Sequence, residues 1–591
     1  MFHNRLLREL WIPAFAGMTD QKGDGRLRRI QNKHPKETPM LSTYHYPTFP
    51  YRPSEEQRTG TVKRHPVVIV GAGPIGLTAA LDFARRGVPV VVLDDDDTVS
   101  IGSRAVCYAK RALEVWNRLG SSKRMIDKGV MWKVGKVFHG DSQVYQFDLL
   151  PEPDHKIPAF INLQQYYLEE YLIDDAMKTG LVDIRWKTRA LSVKDEDGRV
   201  VIQAETPDGV YQLEADWLIA CDGAKSSIRK MLGLDFVGQV FQDRFLIADV
   251  VMKADFPAER WFWFDPPFHP KQSTLLHMQA DNVWRIDFQL GWNADPEEEK
   301  KPERVIPRLK AMLGEKTEFD LEWVSVYTFQ CRRLEQFRHG RVFFAGDAAH
   351  QVSPFGARGA NSGVPDADNL VWKLKLVMDG VAPDSLLDTY SDERVAAAKE
   401  NLLNSTRSTD FITPKSEVSR TFRDAALELA ATQPFARSLV NSGRLSTPTT
   451  YTESRLNTPD EDGFQGAMLP GAPATDAPLE FADGDTGWLI DRLGGDFVGV
   501  YYAGSDPVPA EVAAAMDQQT RGRIPVTWIV VTDRRTGAPG AAVDYKGRFR
   551  ERYDALPGTT YLFRPDQHVA ARWRRFDAAR TTAALNRAIG L

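Results

Sequence analysis

Three stretches of this chain carry residue types at spacings that could hold a phosphorylated ligand. The first is Gly71-Ala72-Gly73-Pro74-Ile75-Gly76, followed at a distance by Asp94. The first glycine of such a run permits a tight turn, and the second lets the backbone approach a pyrophosphate with no Cβ in the way. The third lets a helix lie close to a strand. A helix starting there turns unpaired N–H groups and a positive dipole end toward the phosphates. Asp94 stands about 20 residues past the turn, where a carboxylate can accept hydrogen bonds from both hydroxyls of a ribose. The second stretch is Asp222-Gly223, where an apolar run ends. The third contains Gly346-Asp347, then Pro354, Gly356, Gly359, Ala360 and Asn361. Its glycines again imply close backbone approach to a ligand, and a helix N-terminus aimed at that ligand would stabilise something electron-rich.

The elements that must position these residues are legible around them. Val67 to Val70 reads as a buried parallel strand. Leu77, Ala80, Leu81 and Ala84 recur at helical spacing, Gly87 suits a C-cap, and Val88 to Leu93 is a second strand. The order is βαβ. Trp217 to Cys221 is a further buried strand leading into Asp222. Asp366 to Met378 is predicted to be a helix with Leu370, Leu374 and Val377 on one face. Ile101 to Gly120 reads as a loop running into a helix, and Arg104 returns toward the first glycine turn as a candidate phosphate contact. Asn162 to Met177 is helical, and Gln165 on it could face a cofactor.

At 591 residues, 42% hydrophobic and 26% charged, the chain is expected to form two to four soluble globular domains. A net charge of −5 with scattered Lys and Arg gives no basic field for nucleic acid. No apolar run approaches the ~20 residues that span a bilayer, so integral membrane association is not expected. Cys107, Cys221 and Cys331 lie far apart, without metal-ligand spacing to histidine. They argue against a disulfide scaffold, a zinc site or an iron–sulfur cluster, and suit the reducing cytoplasm; no metal is expected.

The segment 1–64 lacks sustained periodicity and reads as disordered or extended. Leu10 to Met18 could pass for a signal-peptide core, but Pro13 interrupts it. It resembles a phrase met in translated bacterial intergenic repeats, so synthesis is expected to begin at Met40 and the first 39 residues to be an extension. Ile184 to Leu213 carries hairpin signals, with Asp197-Gly198 and Asp208-Gly209 as turn pairs. Val130 to Leu149 alternates as strands do, and Phe245 to about Gln330 is β-like and aromatic, with helical text only near Pro302 to Met312. A Ser/Thr/Pro-rich run, Ser442 to Thr458, marks a linker. After about Met468 the text turns α/β, with Leu489 to Leu493, Phe497 to Tyr502 and Val526 to Val531 alternating with a helix from Pro509 to Asp517.

Gly71-x-Gly73-x-x-Gly76, Asp222-Gly223 and Gly346-Asp347, in this order, resemble the three fingerprints of the single-component FAD-dependent aromatic hydroxylases. Para-hydroxybenzoate hydroxylase is the type member, and the likeness is closer to the branch with phenol hydroxylase and 3-(3-hydroxyphenyl)propionate hydroxylase. It covers roughly residues 66 to 410. The fold it implies is α/β: a Rossmann-like FAD-binding domain over 65–440 with an inserted β-rich substrate domain at about 130–160 and 244–332. A linker at 441–467 and a thioredoxin-like α/β domain at 468–591 would follow. All three cysteines precede that last domain, so it cannot perform dithiol exchange and would be a structural or homodimer-forming appendage.

The resemblance also implies roles. Gly71, Gly73 and Gly76 would cradle the FAD pyrophosphate, and Asp94, often Glu in the family, would hold the ribose. Arg104 and Gln165 would contact the cofactor. Asp222 and Gly223 would also serve NADH or NADPH, Gly346-Asp347 would meet the ribityl chain, and Pro354, Gly359, Ala360 and Asn361 would lie beside the isoalloxazine. NAD(P)H, dioxygen and a small phenolic or heteroaromatic substrate would be the partners, with one oxygen atom transferred through a flavin hydroperoxide. There is no second G-x-G-x-x-G, as expected where the nicotinamide nucleotide binds transiently. His269, His277 and Tyr327 are the candidate bases for a phenolic proton, each against a more ordinary structural role. Two other readings are a flavin halogenase, from the partial W-x-W-x-I-P match at Trp261 to Pro266, and a flavin reductase of polyprenyl or quinone substrates.

Overall fold

The computed structural model describes residues 42–254, 256–440, 445, 447–481, 484–535 and 541–591. The expected extension before Met40, and residues 441–444 and 446 of the expected linker, lie outside the described residues.

Apolar runs bounded by glycine turns build a mainly parallel sheet. Its central order is Val342–Phe344, Gly209–Ala220, Arg64–Val70, Val90–Leu93 and Val182–Arg185. Val67, Val68 and Ile69 are fully buried, as strands covered on both faces must be. The helix Pro74–Arg85 packs on these strands, with Gln165–Lys178 and Gly359–Met378 packed against it. The strand Arg199–Thr206 joins Arg189–Glu196 through Asp197 and Gly198, both at positive φ (51° and 74°), which is the mirror-image turn that matches strand twist.

The second sheet has eight strands. Asp320–Arg333, Val237–Val251, Val283–Leu290, Ser273–Met278, Arg260–Phe264, Val134–His139 and Ser142–Asp148 follow one another in it. Period-two alternation divides its faces. Leu246, Ala248, Val250, Leu276, Trp284, Ile286 and Phe288 form an outer core with Val305 and Leu309 of the helix Pro302–Leu313. The opposite, inward face meets a small sheet of Cys107–Ala109, Phe160–Asn162 and Val130–Trp132 that belongs to the first layer.

Residues beyond 477 make a third sheet, whose centre runs Val526–Thr532, Phe497–Gly504, Thr560–Phe563 and Val569–Trp573. It is joined to the first layer by buried charge. Arg564 donates to Glu393 Oε1 at 2.6 Å and Oε2 at 2.9 Å, and to Asp566 Oδ1 at 3.0 Å. Lys373 donates to the same Glu393 Oε2 at 2.7 Å. Arg111 bridges Gln567 Oε1 and Asp368 Oδ2, both at 2.8 Å, and Arg118 links Asp368 to Asp82. Burial opposes ionisation of Asp82, but Arg118 and Arg86 outweigh it and lower its pKa to about 2. Burial likewise lowers the Lys373 pKa to about 8, despite the pull of Glu393.

Three local expectations are corrected. The helix expected from Asp366 begins at Gly359 and carries Pro365 inside it. Pro365 withholds one N–H from the helix ladder, yet packing on both sides holds the helix together. Leu489–Asp491 is a 3-10 turn that buries Leu489 and Ile490 without pairing as a strand. Pro509 is the N-cap of the helix Ala510–Thr520, one position before the helix proper.

Candidate active site

Register brings the three distant turns together. Val70 pairs with Leu93 on one side and with Ala220 on the other, and Ala220 pairs with Phe344. The residues following these strand ends are therefore Asp94, Gly71, Cys221-Asp222 and Ala345-Gly346-Asp347, side by side at the carboxyl edge of one parallel sheet. The ladder extends past the strands, with Gly71 N–H donating to the Leu93 carbonyl at 2.8 Å and Cys221 N–H to that of Val70 at 2.8 Å. Open α/β sheets bind ligands at this edge.

The first turn has no spare room where it is built and ample room where a ligand would lie. A Cβ added to Gly76 would sit 2.0 Å from the Gly71 carbonyl oxygen, and one on Gly71, at φ 106°, would sit 2.5 Å from the Cys221 carbonyl oxygen. At Gly73 an added Cβ would meet nothing within 4 Å. That glycine is the N-cap of the helix Pro74–Arg85, which has no side-chain cap, so its first N–H groups face the open side. Asp94 Oδ2 accepts from Ala72 N–H at 2.5 Å, and Oδ1 accepts from Asp96 N–H at 2.9 Å. Asp94 is thus fixed against the turn; burial raises its pKa against those two amides.

Arg104 is exposed on the loop before Cys107, and its charge acts on Asp347 and on Tyr327. Gln165 is buried and holds that loop: its Oε1 accepts from Ala105 N–H at 3.0 Å and its Nε2 donates to Ser100 Oγ at 3.1 Å. Gly102 backs the same loop onto Trp323, whose ring nitrogen would lie 2.3 Å from an added Cβ. Asp222 Oδ2 accepts from Ile228 N–H at 3.0 Å, Oδ1 is buried without a partner, and Gly223 beside it has open space at φ 74°.

Asp347 is accessible from the cleft although protein surrounds it on the other sides. Desolvation raises its pKa, while His350 and Arg104 oppose the rise. Gly346 must be glycine, since it adopts φ 61° with Ile75 only 2.9 Å from an added Cβ. Its N–H donates to Asp366 Oδ2 at 2.9 Å, and His350 Nε2 lies 2.7 Å from the same oxygen. Arg394 Nε donates to Asp366 Oδ1 at 2.6 Å. Sequence reasoning missed this supporting trio because its members stand apart in the chain, with His350 at 16 residues before Asp366 and Arg394 at 28 residues after it.

Pro354 is exposed on the loop that leads to the helix Gly359–Met378. This helix also begins without a side-chain cap, leaving the N–H groups of Gly359, Ala360 and Asn361 without helical partners. The Asn361 side chain is spent on the small sheet: Oδ1 accepts from Ala109 N–H at 2.8 Å and Nδ2 donates to the Cys107 carbonyl at 2.8 Å.

The three candidate bases separate. His269 packs on Phe288 over the outer core, with its Nε2 2.7 Å from the Gln289 carbonyl. His277 and Tyr327 both lie on the inward face. The Tyr327 pKa is raised by desolvation and by Asp347, with Arg104 opposing.

A parallel sheet whose carboxyl edge gathers two uncapped helix starts and two glycine/aspartate turns, roofed by a second sheet, defines a dinucleotide-binding flavoprotein. The residues present fit FAD: an open cradle at Gly73, a fixed carboxylate at Asp94 and free N–H groups at Gly359 to Asn361.

Comparison with known proteins agrees. Residues 64–405 match the FAD binding domain family, and the chain belongs to that family as a flavin-dependent aromatic monooxygenase. It is 30% identical over 88% of its length, and 92% of the relative's, to 6-methylpretetramide 4-monooxygenase of Streptomyces rimosus. Para-nitrophenol 4-monooxygenase of Pseudomonas sp. (strain WBC-3) is also 30% identical, over 56% of this chain and 82% of that one. Among solved structures, the flavin-dependent monooxygenase PieE in complex with FAD and substrate superposes with a TM-score of 0.75 at 23% identity, covering 89% of this chain and 98% of that one. The architecture is the mixed α/β fold of para-hydroxybenzoate hydroxylase. Among the described residues no helix is long and apolar enough to cross a membrane.

Proposed function

We propose that one FAD lies along the row of strand ends and that the chain uses NADH or NADPH and dioxygen to hydroxylate a small phenol or heteroaromatic ring. The carrying observation is the shared register of Leu93, Val70, Ala220 and Phe344, which sets the turns in one line. Gly71, Gly73 and Gly76 receive the pyrophosphate, Asp94 the adenosine ribose, Asp347 the ribityl hydroxyls and the Pro354 to Asn361 segment the isoalloxazine. Arg104 contacts phosphate. Gln165 is a positioning residue, acting through the loop it holds. Asp222 and Gly223 serve the nicotinamide nucleotide.

When bound, FAD supplies the redox chemistry, taking reducing equivalents from NAD(P)H and activating dioxygen. The protein's own part is to bind, orient and exclude water. The uncapped helix start at Gly359 offers its dipole and N–H groups to negative charge on the ring system, and the second sheet roofs the cleft.

The proposed organisation is a flavin-binding domain at 65–440, with its β-rich insertion at about 130–160 and 244–332, and a thioredoxin-like unit at 468–591. A parallel pair joined by a helix, then an antiparallel pair followed by a helix, supports that reading of the C-terminal sheet. Its role is structural or homodimer-forming. Three free cysteines favour a cytoplasmic setting.

Protein purified without refolding is expected to be yellow, and phenols are expected to accelerate NAD(P)H oxidation under air with a hydroxylated product. Protein that stays colourless after incubation with FAD overturns this reading. Oxygen-independent turnover would point to a reductase, and chloride-dependent product to a halogenase.

A further inference from the structure

The inward face of the second sheet carries a group of ionisable side chains that the cofactor roles above leave unused. Asp249 pairs across strands with Arg285, and Arg285 with His277; Asp287 pairs with Leu275 two positions along. Arg260 heads the next strand. One pair in this group is closed. Arg285 donates to Asp249 Oδ1 at 2.8 Å and Oδ2 at 2.7 Å, and also to the Ser103 carbonyl.

The other three are not closed. His277 is 3% exposed, and its Nδ1 accepts from Asn162 Nδ2 at 3.2 Å. Asn162 is itself oriented by Trp132, whose Nε1 donates to its Oδ1 at 2.8 Å. The ring proton of neutral His277 therefore sits on Nε2, which is buried without a partner. Arg260 is 8% exposed, and the one hydrogen bond its guanidinium makes among the described residues is to Cys107 Sγ at 3.7 Å. Asp287 Oδ1 is a buried acceptor without a partner. Unmade hydrogen bonds are costly in an interior, and two buried donors beside a buried acceptor form an arrangement that a ligand hydroxyl completes.

Its location fits a substrate. The backbone of Cys107 is held by Asn361 of the proposed isoalloxazine segment, and Phe355 of that segment meets Phe262, the register partner of Leu275, with ring centroids 6.4 Å apart. We propose that Arg260, His277 and Asp287 recognise the substrate's phenolic hydroxyl and convert it to phenolate. Asp287 takes the proton, while the guanidinium of Arg260 and the Nε2–H of His277 hold the phenolate oxygen. The phenol O–H bond breaks and a carboxylic O–H bond forms. Negative charge passes from Asp287 to the substrate, so the buried site changes no net charge and nothing is oxidised or reduced. Phenolate is the more electron-rich ring, which favours transfer of an electrophilic oxygen atom to it.

The charges around Asp287 agree. Burial raises its pKa to about 6, with Asp249 adding and Arg285 and Arg260 opposing. Burial, Arg260 and Arg285 all keep His277 neutral, and burial keeps the Cys107 thiol protonated.

This inference rests on the proposed function, and the test separates the two. Holoenzyme without NAD(P)H is titrated with 4-nitrophenol at mildly acidic pH, where the free dye is mainly protonated, and difference spectra report the form that is bound. The wild type is expected to bind the yellow phenolate. Arg260→Gln and His277→Leu should lower the bound phenolate fraction about tenfold, equivalent to about one pKa unit. Asp287→Asn, which has no carboxylate to take the proton, should release it to the buffer on binding the dye where the wild type keeps it, and Arg260→Lys should restore part of the phenolate lost in Arg260→Gln. FAD content and melting midpoint, measured on every variant, identify any that fail to fold, and 4-nitroanisole, which has no proton to lose, should bind all of them alike. Neutral dye bound to the wild type, phenolate binding unchanged in folded Arg260→Gln, the same proton release from wild type and folded Asp287→Asn, or no binding of 4-nitrophenol or resorcinol to the wild type overturns the assignment. Protein that hydroxylates phenols but gives one of these results keeps the proposed function and loses this site. Protein that binds no FAD fails the proposed function first.

Discussion

Two groups of buried charges in this molecule have opposite character. Around Glu393 and Arg564, every charged side chain meets a partner: Arg564 contacts two carboxylates, and Glu393 receives Arg564, Lys373 and Asn369. Around Asp287, the carboxylate oxygen Oδ1 and the His277 Nε2 have none among the described residues. Both groups hold buried polar atoms, although Asp287 itself is only partly buried, so burial alone does not tell structure from function. Completion does. A closed network holds two layers together, and the open one is where the proposed substrate hydroxyl would find its partners.

The contrast can be broken most forcefully at the closed group. Arg564→Ala leaves Glu393 and Asp566 buried with less compensation and is expected to cost about 3–5 kcal/mol, read as a lower thermal midpoint of the full chain. Next come the glycines of the first turn. Gly76→Ala places a methyl group 2.0 Å from a carbonyl oxygen and should disrupt the turn, with loss of both FAD and stability. Gly73→Ala meets no protein atom, so it should leave the melting of FAD-free protein unchanged while weakening FAD binding at least tenfold in a fluorescence titration.

Asp287→Asn should do the reverse of Arg564→Ala. The folded pKa of Asp287, about 6, stands above its ordinary 3.8, so folding holds its proton and the charged form is a cost. That cost is absent below about pH 4, grows as pH rises through 6 and is complete above it. The variant is therefore expected to gain roughly 1–3 kcal/mol at pH 8 and nothing at pH 4, measured by denaturant unfolding. Asp82 has the opposite sign: with a folded pKa of about 2, its contribution is present above about pH 4 and is lost as the pH falls toward 2. The smallest effect is expected at Lys123, whose pair with Asp127 is exposed; Lys123→Ala should leave the midpoint unchanged.

The parts of this fold that could be read in the chain were those whose causes are local. Gly71, Gly73 and Gly76 announce their turn by spacing within six residues, and Asp94 stands at the end of the next strand, although the atoms that leave Gly71 and Gly346 no room for a Cβ belong to Cys221 and Ile75, far off in the chain. The Gln165 side chain holds the loop of Arg104, and helical spacing alone does not give the direction of that side chain. Arg260 and Asp287 were not visible at all. Alternation shows that a strand has two faces, but which face looks at the cofactor depends on packing against another sheet far away in the chain, as where Cys107 meets His277 across 170 residues. The Glu393 to Arg564 contact spans 171 residues, and nothing near either residue announces it.

The loop Arg564 to His568 also limits how the protein can be divided. A version ending near residue 460 would leave Glu393 and Lys373 facing water on a surface shaped for an arginine fork, and would uncover Trp372, which now packs on Phe497. Exchanging the last sheet for that of a relative would work only if donor and recipient agreed on this five-residue plug and its acidic socket. The final fifth of the chain and the helices beneath it fit one another as a key fits its lock.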